Sequence, residues 1–85
     1  MGSFRIFFKR SAEKELRRLP KRDLSRVVAK IKSLAADPRP SGCEKLSGEE
    51  KYRLRQGPWR VVYAIDDAAG TVSVYKIGHR REVHR

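Results

Sequence analysis

Tyr52-Arg53-Leu54-Arg55-Gln56-Gly57-Pro58-Trp59-Arg60-Val61-Val62-Tyr63 is the stretch that decides how this chain folds. Its first five residues alternate, with Leu54 between two arginines, which is the period of a half-buried strand. Leu54 and Tyr52 share a parity and are expected to face a core, leaving Arg53 and Arg55 on the opposite side. Gly57-Pro58 reads as a turn. Trp59 to Asp66 then reads as a strand, with Trp59, Val61, Tyr63 and Ile65 on one face and Arg60, Val62 and Ala64 on the other. Asp67 to Gly70 makes a second turn, and Thr71 to Ile77 a third strand that Gly78 is expected to break.

Upstream of this meander the period changes. Phe4-Arg5-Ile6-Phe7-Phe8 is aromatic and β-branched and predicts an opening strand. Ser11 is a plausible N-cap, with Glu13 and Glu15 in the turn where the helix dipole favours acid. A short helix to about Leu19 presents Ala12, Leu16 and Leu19, and Pro20 punctuates it. A stronger helix runs from about Lys21 to Ala36, with Leu24, Val27, Val28, Ile31, Leu34 and Ala35 at helical spacing. Asp37-Pro38-Arg39-Pro40-Ser41-Gly42 ends it. The expected architecture is α+β, in the order β-α-α-β-β-β, with a helical hairpin packed on one face of a small, mainly antiparallel sheet. The other face stays open.

At 85 residues the chain is expected to form one domain, spanning 1–85. No apolar run approaches the ~20 residues of a membrane span, and no leader is expected at the N-terminus. The single cysteine, Cys43, leaves no internal disulfide and fits a reducing cytoplasm. Lys and Arg number 21 against 10 Asp and Glu, for a formal charge of +11. On so small a body that excess points to a polyanionic partner. The excess is uneven: residues 1–42 hold twelve cations and four acids, residues 43–85 nine and six. Lys14, Arg17, Arg18, Lys21, Arg22, Arg26 and Lys30 space positive charge along the helices, where it can rest on phosphates without reading sequence.

The sequence has no Gly-rich phosphate loop, no His-Glu-x-x-His and no carboxylate cluster for a two-metal nuclease. Asp66 and Asp67 fall in a turn, where Asp is ordinary. Tyr52, Arg53, Arg55 and Arg60 on the sheet, with His79, Arg80, Arg81 and His84 after it, remain as groups that could carry chemistry. Guanidiniums stabilise charge developing on a phosphodiester, and an imidazole with a pKa near ~6.5 can move protons at neutral pH. No metal or other cofactor is expected.

Lys45-Leu46-Ser47-Gly48, the Tyr52–Tyr63 run, and Ile77-Gly78-His79-Arg80-Arg81-Glu82-Val83-His84 together resemble the RelE/ParE superfamily of toxin–antitoxin systems. The opening strand, the helical hairpin and Asp37-Pro38 before a glycine fit as well, so the likeness covers nearly the whole chain. In its RelE branch the resemblance implies a cytoplasmic toxin that enters the ribosomal A site of a translating ribosome and cuts mRNA without metal. The ribose 2′-hydroxyl attacks the adjacent phosphate, leaving a cyclic phosphate and a 5′-hydroxyl. Basic positions of the family's middle strand map to Arg53 and Arg55, and its later arginines to Arg60 and Arg80. A C-terminal tyrosine that stacks on the base and assists proton transfer falls at His84, a departure from the pattern.

On this reading Arg60 and Arg80 clamp the scissile phosphate, and His84 or His79 moves the proton. Arg53, Arg55 and Arg81 hold RNA, and the helix cations grip ribosomal RNA. The family also implies a cognate antitoxin with an acidic or amphipathic segment, and contact with DNA only through the complex of the two. The ParE branch implies a gyrase poison with no nuclease site. A relic that only binds its antitoxin is the third possibility.

Overall fold

The computed structural model of the protein describes residues 3–46 and 50–81. Its elements are β1 (Arg5–Phe8), α1 (Arg10–Arg17), α2 (Lys21–Ser33), β2 (Glu44–Lys45), β3 (Lys51–Gln56), β4 (Trp59–Asp66) and β5 (Thr71–His79). The sheet order is β1-β5-β4-β3-β2. β2 to β5 form an antiparallel meander, and β1 lies parallel to β5, with Arg5 opposite Thr71. The two helices pack on one face of this mixed sheet, an α+β architecture. Among the described residues, no helix is long and apolar enough to cross a membrane.

The core follows the two periods of the sequence. Ala12 and Leu19 from the first helical segment and Val27, Ile31 and Leu34 from the second meet Tyr52, Leu54, Val61, Tyr63, Ile65, Val72, Val74 and Ile77. Burying each large aliphatic side chain contributes roughly 1.5–3 kcal/mol. Gly57 takes φ +58° at the first position of the two-residue β3–β4 loop, a conformation open to glycine.

The structure departs from the sequence reading at several ends. α1 begins at Arg10 with Lys9 at the N-cap, and Ser11 is not the cap: its hydroxyl donates to the Tyr75 carbonyl at 3.4 Å. β1 pairs with β5 up to the Lys9 N–H, which donates to Val74 O, so the chain has no spare residue before the helix. α2 closes at Ser33, and Leu34 to Ala36 continue as turns whose N–H groups reach back three residues. The two-residue strand β2 is new. Gly78 does not break β5; it is buried in the ladder opposite Arg60, and the strand runs on to His79.

One irregularity governs the end of β5. Val62 faces Lys76 and Tyr63 faces Val74, so Tyr75 is an extra residue, a β-bulge. The bulge re-phases the strand: Val72 and Val74 face the helices before it, and Ile77 after it. The N–H of Ile77 donates to Glu15 Oε1 at 2.8 Å, which satisfies a donor beside the irregularity.

Candidate functional site

The open face of the sheet collects arginines because strand register puts them side by side. Arg55 stands directly opposite Arg60, and Arg53 opposite Val62. Like charges facing each other across a ladder repel. Val62 is 4% exposed yet outside the helix-side core; it lies in register between Arg53 and Lys76, whose long stems suit covering apolar surface with their charges in water. Arg80 joins the group through its backbone, since its N–H donates to Pro58 O at 2.7 Å and ties it to the β3–β4 loop.

Arg60 is the focus of the cluster. Its Nη1 donates to the carbonyls of Gly57 and Trp59, both at 3.0 Å. Desolvation first, then the positive fields of Arg55, Arg53 and Arg80, lower its pKa from the ordinary guanidinium value. It stays charged at neutral pH, and an arriving anion would relieve the repulsion.

One carboxylate already sits there. Glu44, on β2 opposite Arg53, accepts from Arg53 Nη2 at 2.8 Å and Nε at 3.2 Å. Those hydrogen bonds, with the fields of Arg53, Arg55 and Arg60, hold its pKa below the usual carboxylate value. The sequence reading missed Glu44. Its one signal was position, an acid preceding the basic strand; a two-residue strand leaves no periodicity to read.

The remaining predicted residues are distributed differently. His79 is not delivered to the arginines: the bulge places it opposite Trp59, on the helix side, with its ring edge-on to the indole at 5.7 Å. Its Nδ1 accepts from the Arg81 N–H at 3.3 Å, and Arg81 itself is exposed. His84 lies outside the described residues. Lys14, Arg17, Arg18, Lys21, Arg22 and Arg26 are exposed and Lys30 is half-buried, all on the helical layer across the sheet from the arginine cluster. Arg26 lines a crevice with Asp23, Gln56, Gly57, Pro58 and Trp59.

A second charged cluster, also unforeseen, fixes the loop after α2. Arg39 donates to Asp67 Oδ1 and Oδ2 at 3.2 and 2.9 Å and to the Tyr52 hydroxyl at 3.0 Å. Tyr52 donates to Glu50, and Glu50 accepts from Lys45 at 3.0 Å. The hydrogen bonds to Asp67 and then Tyr52 raise the Arg39 pKa above the ordinary value, and burial raises that of Tyr63, whose hydroxyl donates to Pro38 O at 2.7 Å.

The chain is similar in sequence and fold to known proteins. Toxin RelG of Mycobacterium tuberculosis is 30% identical over 86 residues, covering 96% of this chain and 97% of that protein. The toxin–antitoxin complex RelBE2 from the same organism contains a chain matching with TM-score 0.81 and 30% identity, over 92% of this chain and 99% of that one. The intact E. coli RelBE toxin–antitoxin complex matches with TM-score 0.79 and 27% identity, over 98% of this chain and 100% of its counterpart. Residues 6–84 match the family described as ParE toxin of type II toxin–antitoxin system, parDE. With so much of the chain inside that match, this protein belongs to the ParE toxin family and is a type II toxin of the RelE/ParE superfamily.

Proposed function

We propose that this toxin is a ribosome-dependent endoribonuclease that cuts mRNA in the A site and halts translation in the cytoplasm. The observation that carries the reading is Arg60, tied down by two backbone carbonyls and surrounded by Arg53, Arg55 and Arg80. Such a cluster is preorganised for a phosphate that gains charge in the transition state. Arg60 and Arg80 hold the scissile phosphate, and Arg53, Arg55 and Arg81 hold the flanking RNA. The cations of the helical layer, from Lys14 to Lys30, meet ribosomal RNA on the other side.

The 2′-oxygen forms the new bond to phosphorus while the bond to the 5′-oxygen breaks. The proton of the 2′-hydroxyl passes to Glu44, the carboxylate within the cluster. When substrate phosphate takes over Arg53, Glu44 loses the partner that depresses its pKa and becomes the stronger base. The imidazolium of His84 gives its proton to the departing 5′-oxygen. His79, against Trp59, is left out of this scheme.

A cognate antitoxin, acidic or amphipathic in the segment that covers this basic surface, restrains the toxin, as RelB accompanies RelE in the complexes named above. DNA is reached only through that complex. The test is expression in a translation extract, with mRNA ends mapped by primer extension and gyrase supercoiling assayed alongside. Codon-positioned cuts with 5′-hydroxyl ends are expected. Intact mRNA with inhibited gyrase overturns the reading in favour of the gyrase poison that the ParE match suggests; neither effect leaves a relic that only binds antitoxin.

A further inference from the structure

The arginines occupy one end of the open face; the other end carries aromatic rings and lysines. Arg5 and Phe7 alternate along β1 toward the open side, and Lys9 continues their parity with its N–H still bonded to Val74 O. Tyr75, the bulged residue of β5, lies outside the helix-side core. Lys9 Nζ is 5.0 Å and Lys51 Nζ 4.4 Å from its ring centroid. Phe7 is 49% exposed, with the Arg5 guanidinium 5.9 Å from its ring centroid. An aromatic ring that holds two ammonium groups fixes them as neighbours. A half-exposed ring beside them is a flat apolar plate.

We propose that Phe7, Lys9, Lys51 and Tyr75 form a second single-stranded RNA subsite, which extends the track from the arginine cluster across the sheet to β1. Phosphates rest on the two lysines around Tyr75, and a base stacks on Phe7. Alternating cations and rings match the alternating phosphates and bases of a single strand. The subsite shares a face with the arginines, and β1 and β3 are three strand spacings apart, about 14 Å at ~4.8 Å each. A few nucleotides bridge that span. The inference rests on RNA being the substrate, and it adds a stretch of contacts away from the scissile bond.

The experiment is fluorescence anisotropy of a labelled uridine dodecamer with the full chain at low salt. Native protein is compared with Phe7→Ala, Lys9→Gln and Arg55→Gln, each checked by circular dichroism. Phe7→Ala is expected to weaken binding about fivefold or more, the loss of one stacked base. Lys9→Gln is expected to flatten the log-affinity against log-salt slope by about 0.7, the loss of one phosphate contact. Unchanged affinity in both variants, or no binding by the native chain, overturns the subsite. Loss in Arg55→Gln alone overturns it while sparing the arginine reading; loss in Phe7→Ala and Lys9→Gln alone supports it and counts against the arginines. A polyglutamate peptide that binds as tightly as the RNA and is equally weakened by Phe7→Ala assigns the face to an acidic protein and overturns the proposal.

Discussion

Arg39, in the loop after α2, and Arg60, on β4, are the same residue type, and their surroundings drive them in opposite directions. Arg39 meets a carboxylate, a phenol hydroxyl and an aromatic face, and its pKa rises. Arg60 meets carbonyls and other guanidiniums, and its pKa falls. A satisfied guanidinium is a fastener; one crowded by its own kind is a vacancy for an external anion. The count of arginines in the sequence could not make this distinction, because it depends on which strands bring acids alongside.

The largest expected effect that tests the contrast is on cleavage. Arg60→Ala should slow mRNA cutting by roughly 10³-fold, the scale on which arginines stabilise phosphoryl transition states, with the chain still folded by circular dichroism. If Arg39→Ala does the same, the two clusters are not distinct. Glu44→Gln should lower kcat by about 10²-fold or more while leaving KM unchanged or improved, since it removes both a base and a competing anion. A raised KM with intact kcat would make Glu44 a brace for Arg53 instead.

Smaller effects belong to the satisfied cluster. Tyr63→Phe, which strips the donor to Pro38 O from a fully buried ring, should cost about 1 kcal/mol in a denaturant melt and leave cleavage intact. Arg39→Ala and Asp67→Asn should each lower the Tm slightly and the double variant little further, because both remove the same pair. The acid side gives the smallest signal. Asp67 and Glu50 are held below their ordinary pKa values by Arg39 and Lys45 respectively. Their contribution is therefore present above the usual carboxylate range and is lost as pH falls through the depressed values. Asp67→Asn should lower the Tm slightly near neutrality and reduce its fall with acidification, so that variant and native chain converge at low pH.

The strands were legible where alternation was strict. Trp59–Asp66 has the limits its pattern predicts, and Leu54 and Tyr52 face inward as their parity requires. The helices were legible as stripes, but their ends were decided by pairing: Lys9 is drawn into the β1–β5 ladder, so the helix starts without the Ser11 cap. His79 lies away from the arginines because β5 runs through Gly78 and carries an extra residue at Tyr75, and a bulge has no composition of its own. Arg53, Arg55, Arg60 and Arg80 are brought together through register and the Pro58 contact. Glu44 and Arg39 act through partners distant in sequence, which no local pattern reveals.

The parallel pairing of β1 with β5 also sets an order of events in folding. The meander from β2 to β5 closes through short loops, whereas Arg5 must wait for Thr71, far along the chain. Loop-closure entropy places that long-range pairing late. The arginine face, built on β3, β4 and the end of β5, can therefore take shape before the first strand docks. The arginine face is thus an early product of folding, and the stretch bearing Phe7 and Lys9 is the last to be added to it.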